Sequence, residues 1–84
     1  MIELSDKRLN ELKESIPKQV GERVRLFRKE KGLTQTQLAQ LVGKDRQYLY
    51  KIEKAIVTPN IVTIASISIA LEVPLKEFFD IIYS

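Results

Sequence analysis

Residues 33–54 read LTQTQLAQLVGKDRQYLYKIEK, and no other stretch restricts the fold as tightly. Two apolar-periodic runs flank one glycine, Gly43. Leu38, Ala39, Leu41 and Val42 give the first run an apolar side; Leu49 and Ile52 follow at i, i+3 on the second. Ala39 is small where two crossing helices touch. Gly43 can take the positive φ of a sharp turn. Thr34 and Asp45 stand where N-caps are needed. Two helices crossing at about 90–120° around a 3–4-residue turn meet all these demands.

The flanks also read as helical. Ser5 can cap a first helix with Leu9, Leu12 and Ile16 on one stripe. Pro17 is expected to break it, because the residue before a proline is pushed out of the helical region. A second helix then opens at Pro17, with Val20, Val24 and Phe27 at i, i+4 and i+7. Gly32 ends it as a left-handed cap. Asn60 caps the run IVTIASISIALEV. Its β-branched residues would allow a strand. The stripe Ile61, Ile64, Ile67, Ser68 and Leu71 argues for helix instead. Pro74 opens a last short helix with Leu75, Phe78 and Phe79. The expected class is all-α.

An 84-residue chain makes one domain with a modest core, which favours an oligomer. It has no cysteine and no histidine. Disulfides, thiolate metal sites and the commonest general base are therefore excluded. There is no Gly-rich phosphate loop and no carboxylate pair placed for acid–base work. An enzyme is not expected, nor a cofactor or metal. No apolar run reaches the ~18–20 residues of a membrane span. The start of the chain is too charged for a signal peptide. A soluble, cytoplasmic protein with no membrane partner is expected.

The net charge of +3 is unevenly spread. Residues 18–54 carry ten basic and four acidic side chains, a net of +6, against −1 before them and −2 after them. That asymmetry points to a surface facing a polyanion.

Three motifs carry a resemblance: RKEKGLTQTQLA (Arg28–Ala39), GKDRQYLYKIEK (Gly43–Lys54) and TPNIVTI…ALEVPLKEFF (Thr58–Phe79). Together they resemble the phage-repressor or Xre-type (lambda repressor-like) helix-turn-helix family. The resemblance implies a compact five-helix DNA-binding domain over residues 18–80. An extra N-terminal helix over residues 1–17 precedes it, and an apolar C-terminal tail, 81–84, follows. Matched to the family's pattern, Arg46, Gln47 and Lys51 take base-reading positions. Gln35 and Tyr48 take positions near the DNA backbone. Arg28 and Glu53 match a structural ion pair. Two departures stand out: Lys44 follows the turn glycine where the family has an apolar residue, and Ala55 follows the second helix where it has glycine.

A helical wheel supports the same roles. With Leu49 and Ile52 inward, Gln47, Lys51 and Lys54 point outward together, and Tyr50 lies at their edge. Arg46 sits in the first turn, which in this motif enters the major groove. Arginine and lysine suit guanine O6 and N7; glutamine suits adenine N6 and N7. Arg23, Arg25, Lys29, Lys31, Lys44 and Lys54 can add backbone attraction without sequence information.

Apolar residues also occur where the family is polar: Leu26, Ile56, Val57, Val62 and Ile69. The tail adds Ile81, Ile82 and Tyr83. Leu26 can receive the N-terminal helix through Leu9 or Leu12. The rest suggest an isologous homodimer through Val62, Ile69, Ile81, Ile82 and Tyr83. The alternative for the tail is packing on its own core. The expected function is a DNA-binding transcriptional regulator, a repressor or autoregulator reading a palindromic operator. With the chain spent on this domain, control is expected through concentration, dimerisation or a partner. The alternative is an antitoxin or other protein–protein module on the same fold, with a partner such as a toxin.

Overall fold

The computed structural model describes residues 1–79. Four α-helices and a closing 3-10 turn form this part: α1 (Asp6–Glu30), α2 (Gln35–Leu41), α3 (Arg46–Glu53), α4 (Ile61–Leu71) and the turn Leu75–Phe78. Each helix starts in the same way. A side-chain oxygen of Ser5, Thr34, Asp45 or Asn60 accepts the amide three residues on, from Arg8, Gln37, Tyr48 or Thr63. Such a cap contributes about 1 kcal/mol. At Thr34 the contact is reciprocated, because Gln37 Oε1 accepts from the Thr34 amide.

Each helix also ends in the same way. A residue with positive φ follows it: Gly32 (71°), Gly43 (68°), Ala55 (59°) and Glu72 (57°). The next amide then reaches back to a carbonyl of the last turn, Leu33 to Arg28, Lys44 to Ala39, Ile56 to Lys51 and Val73 to Ser68. This pairing satisfies carbonyls that a helix end leaves open. The two glycines adopt the left-handed region freely, whereas Ala55 and Glu72 adopt it against their Cβ atoms.

The break expected at Pro17 is absent. α1 runs unbroken for 25 residues with Pro17 inside it. Pro17 removes one amide and crowds the carbonyl four residues back. Ile16 and Val20, on either side of it, both pack on the core and hold the backbone helical. The two helices expected over residues 6–31 are therefore one, and the last short helix shrinks to a 3-10 turn. Instead of five helices and an extra one, the described residues form four and that turn. Leu9 and Leu12 lie on the same rod as Leu26 and cannot fold back onto it, so Leu26 stays exposed.

At ~1.5 Å per residue, α1 is about 37 Å long, close to the longest extent of the described chain, 41 Å. Its N-terminal half projects. There Leu9, Leu12, Ile16 and Pro17 line an apolar groove with Thr58. No helix is long and apolar enough to cross a membrane among the described residues.

The core takes Val20 and Val24 from α1, Leu38 and Ala39 from α2, and Leu49 and Ile52 from α3. Ile64, Ile67 and Leu71 of α4 and then Phe78 complete it. Phe27 meets Phe78 edge to face at 5.2 Å. Ser68 sits in the buried stripe because its hydroxyl donates to the Val73 carbonyl. Two expected core residues lie outside. Leu41 is 60% exposed: at ~100° per residue it points about 60° from Leu38 but about 100° from Val42 and about 160° from Ala39, off the side that these three share. Ile61, 71% exposed, is the first residue of α4 and lies beyond the packing around Ile64.

Ala55→Gly removes a Cβ from a left-handed cap and is expected to stabilise the chain by about 0.5–1 kcal/mol in urea denaturation. Equal or lower stability would show that the cap is unstrained.

Candidate nucleic-acid interface

α3 is positioned from behind by α1. A Cβ built on Gly21 would collide with the Ile52 carbonyl oxygen and lie 3.0 Å from that of Glu53. Only glycine lets the two backbones come this close. A glycine inside a helix costs about 1 kcal/mol relative to alanine, and here the close approach of α3 offsets it.

One helical stretch further along α1, Arg28 reaches the end of α3. Its Nε donates to Glu53 Oε2 at 2.7 Å and its Nη2 to Glu53 Oε1 at 2.9 Å. Its Nη1 donates to the Leu33 carbonyl at 2.8 Å. Both side chains are buried. Two parallel bonds from a planar fork fix orientation as well as distance. The hydrogen bonds to Glu53 raise the Arg28 pKa above its usual value. Burial opposes that rise, and the carboxylate's charge adds to it. The guanidinium therefore stays charged throughout the working range of proteins.

Gln35, the first residue of α2, joins this network: its Nε2 donates to Glu53 Oε1 at 3.1 Å. The side chain is therefore held in place at the α2 N-terminus, half-buried rather than free. Gly43 turns the chain from α2 to α3, and Asp45 caps α3. Leu49 and Ile52 are fully buried and fix which face of α3 is outward.

That outward face carries Arg46 and Gln47, both exposed, with Lys51 half-buried beside them. Lys54 is exposed and caps the helix rather than belonging to it. Tyr50 is exposed at the edge. Tyr48 is half-buried, packs its ring on the core, and has Lys44 Nζ 5.1 Å over that ring. The ring thus takes the charge of Lys44, one of the two departures from the family's pattern, on its face. The structure gathers Gln35, Arg46 and Lys54 around one cleft with Arg28 and Glu53 at its side. Val62 and Ile69 lie elsewhere, exposed on α4; Ile81, Ile82 and Tyr83 fall outside the described residues.

Sequence reasoning passed over Gly21, Leu33 and the Gln35–Glu53 bond. Gly21 had a signal: a lone glycine inside an otherwise strong helical pattern marks close backbone approach. The role of Leu33 as a carbonyl acceptor had none, since backbone acceptors carry no side-chain signature.

Two short helices crossing at a glycine turn, the second presented outward on a buried frame, define a helix-turn-helix protein. The chain belongs to the Xre-type helix-turn-helix family: residues 24–78 match the Helix-turn-helix family. It is similar to the HTH-type transcriptional regulator SlrR of Bacillus subtilis (strain 168), 42% identical over 62 residues, 73% of this chain and 41% of that protein. It is also similar to the immunity repressor protein of Bacillus phage phi105, 40% identical over 52 residues, 62% of this chain and 36% of that protein. The chain thus spans well under half the length of these two curated relatives. Among solved structures, the restriction-modification controller protein C.AhdI from Aeromonas hydrophila superposes with a TM-score of 0.74 at 34% identity. That match covers 77% of this chain and 98% of C.AhdI.

Arg28→Ala leaves a buried carboxylate unpaired and is expected to cost about 3–5 kcal/mol, read as a fall in melting temperature. Gly21→Ala gains helix propensity but must push α3 away, so a net loss of about 1–2 kcal/mol is expected. A Gly21→Ala protein as stable as the parent would show that α3 can recede at no cost.

Proposed function

We propose that this chain is a sequence-specific double-stranded DNA-binding transcriptional regulator, a repressor or autoregulator that works in the cytoplasm by binding rather than catalysis. The observation that carries the reading is the exposed polar face of α3 on a rigid buried frame. Arg46 and Gln47 project from the first turn of α3, where this motif meets base edges. Lys51 follows one turn later on the same face. Arginine and lysine would read guanine, and glutamine adenine. Gln35, Tyr48, Lys44 and Lys54 would contact the backbone, which positions the helix without specifying sequence. The net of +6 over residues 18–54 supplies the long-range attraction.

The reading extends to a homodimer on a palindromic operator. Its support is on α4: Val62 and Ile69 are 70% and 78% exposed and lie seven residues apart, two turns along one face. A symmetric pairing of that face would place two copies of α3 about one DNA turn apart. Ile81, Ile82 and Tyr83 belong to the same proposal.

Duplexes selected in vitro by the full chain would give the half-site and its symmetry. On such a duplex, Gln47→Ala or Lys51→Ala should each lose about 1–3 kcal/mol and relax base preference, with an unchanged melt. Unchanged affinity and preference in both would remove the readout assignment. Val62→Glu with Ile69→Glu should yield a monomer in sedimentation. A parent protein that is monomeric at high concentration would remove the dimer.

A further inference from the structure

The cleft between α1 and α3 carries charge that neither the buried ion pair nor the base-reading set uses. Glu22, Arg25 and Lys29 line it from α1; Arg46, Tyr50 and Lys54 line it from the α3 side. On α1 the spacing is i, i+3, i+7, which is one helical face. Arg28 and Glu53, also at the cleft, neutralise each other. Arg46 belongs to the reading set, so what remains is three cations, Arg25, Lys29 and Lys54, against one carboxylate, Glu22. All three cations are exposed, and none has an ion-pair partner among the described residues. Two other basic residues of this region are engaged elsewhere. Lys31 lies 3.8 Å from Glu72, and Lys44 lies over Tyr48.

A cleft lined mostly by one sign of charge focuses potential and concentrates counter-charge. This one opens beside Gln35 and Arg46, at the margin of the proposed DNA contact. We infer that Arg25 and Lys29 of α1, with Lys54, hold a DNA backbone phosphate outside the stretch that α3 reads. The inference rests on the DNA-binding reading above and extends it to a helix outside the two-helix motif. The fork of Arg25 suits a phosphodiester oxygen pair, and Lys29 and Lys54 add point charges. No base edge is involved, so this contact adds affinity and salt dependence but no sequence preference. Glu22, on the same face, opposes the phosphate and sets the contact below its full strength.

The test is duplex binding by the full chain at a series of salt concentrations, on the DNA it selects. Parent, Arg25→Gln/Lys29→Gln, Glu22→Gln and Lys7→Gln are compared, Lys7 being an exposed lysine at the far end of α1. The double variant should bind more weakly, with the slope of log affinity against log salt reduced by about 0.9 for the phosphate lost. Its base preference and thermal melt should not change. Glu22→Gln should bind several-fold more tightly at low salt, a change of opposite sign from the same cleft. Lys7→Gln should match the parent. The inference is overturned if the cleft variants keep the parent's affinity and slope, or if Lys7→Gln reproduces their effect and net charge alone explains it. A parent chain that binds no duplex overturns the DNA-binding reading and the inference with it, an outcome distinct from tight binding with unchanged slopes.

Discussion

The bidentate pair between Arg28 and Glu53 ties together every part of the motif. Arg28 belongs to α1, Glu53 ends α3, the Leu33 carbonyl lies in the loop before α2, and Gln35 opens α2. One guanidinium and one carboxylate therefore fix three helices relative to each other. Burying two charges is expensive, and an apolar pair of similar volume is often as stable. What an apolar pair lacks is direction. α3 has eight residues and buries only two apolar side chains, Leu49 and Ile52. Two greasy contacts leave such a short helix free to roll or slide. Two parallel hydrogen bonds at its C-terminus, with the Gly21 contact behind it, remove that freedom.

The helix ends bear on the same problem. Short helices are marginal on their own, and α2 has seven residues. Side-chain N-caps and left-handed C-caps at every helix satisfy the backbone groups that such short elements expose at both ends. The price falls at Ala55 and Glu72, where a Cβ is held at positive φ. At Ala55 the reason is visible: the Ile56 amide must reach the Lys51 carbonyl at 2.8 Å for α3 to stop after Glu53. Continuing the helix would carry Lys54 and Ala55 further along its axis and would detach Val57, which packs on the core.

Much of this was legible in the sequence because it depends on local chemistry. Ser5, Thr34, Asp45 and Asn60 cap the helices they precede, and Gly32 and Gly43 turn the chain after the helices they follow. The β-branched run over residues 61–71 is helical because its buried stripe, Ile64, Ile67, Ser68 and Leu71, outweighs propensity. Pro17 was misread for a complementary reason. Its local cost is real, but Ile16 and Val20 gain more by staying on one continuous face, and that gain belongs to the tertiary fold. Leu41 was misread because its apolar character says nothing about which way a seven-residue helix rolls. Of the proposed contact residues, Gln47 could be placed outward from periodicity alone, whereas Arg46 could be placed by its position in the first turn. The tether of Gln35 to Glu53 could not, since it requires knowing that the two ends of the motif meet.

α1 also has a second role that follows from its being unbroken. Its C-terminal half carries Gly21, Val24 and Arg28 toward the core and α3, while Glu22, Arg25 and Lys29 stay on the side that opens to the cleft. The two sets share one rigid rod. Any force on the exposed set is therefore transmitted to the set that positions α3, without a flexible joint between them. Had the helix broken at Pro17, its projecting half would be hinged to the domain. Because it does not break, the apolar groove at Leu9, Leu12 and Ile16 lies on the same continuous rod that positions α3.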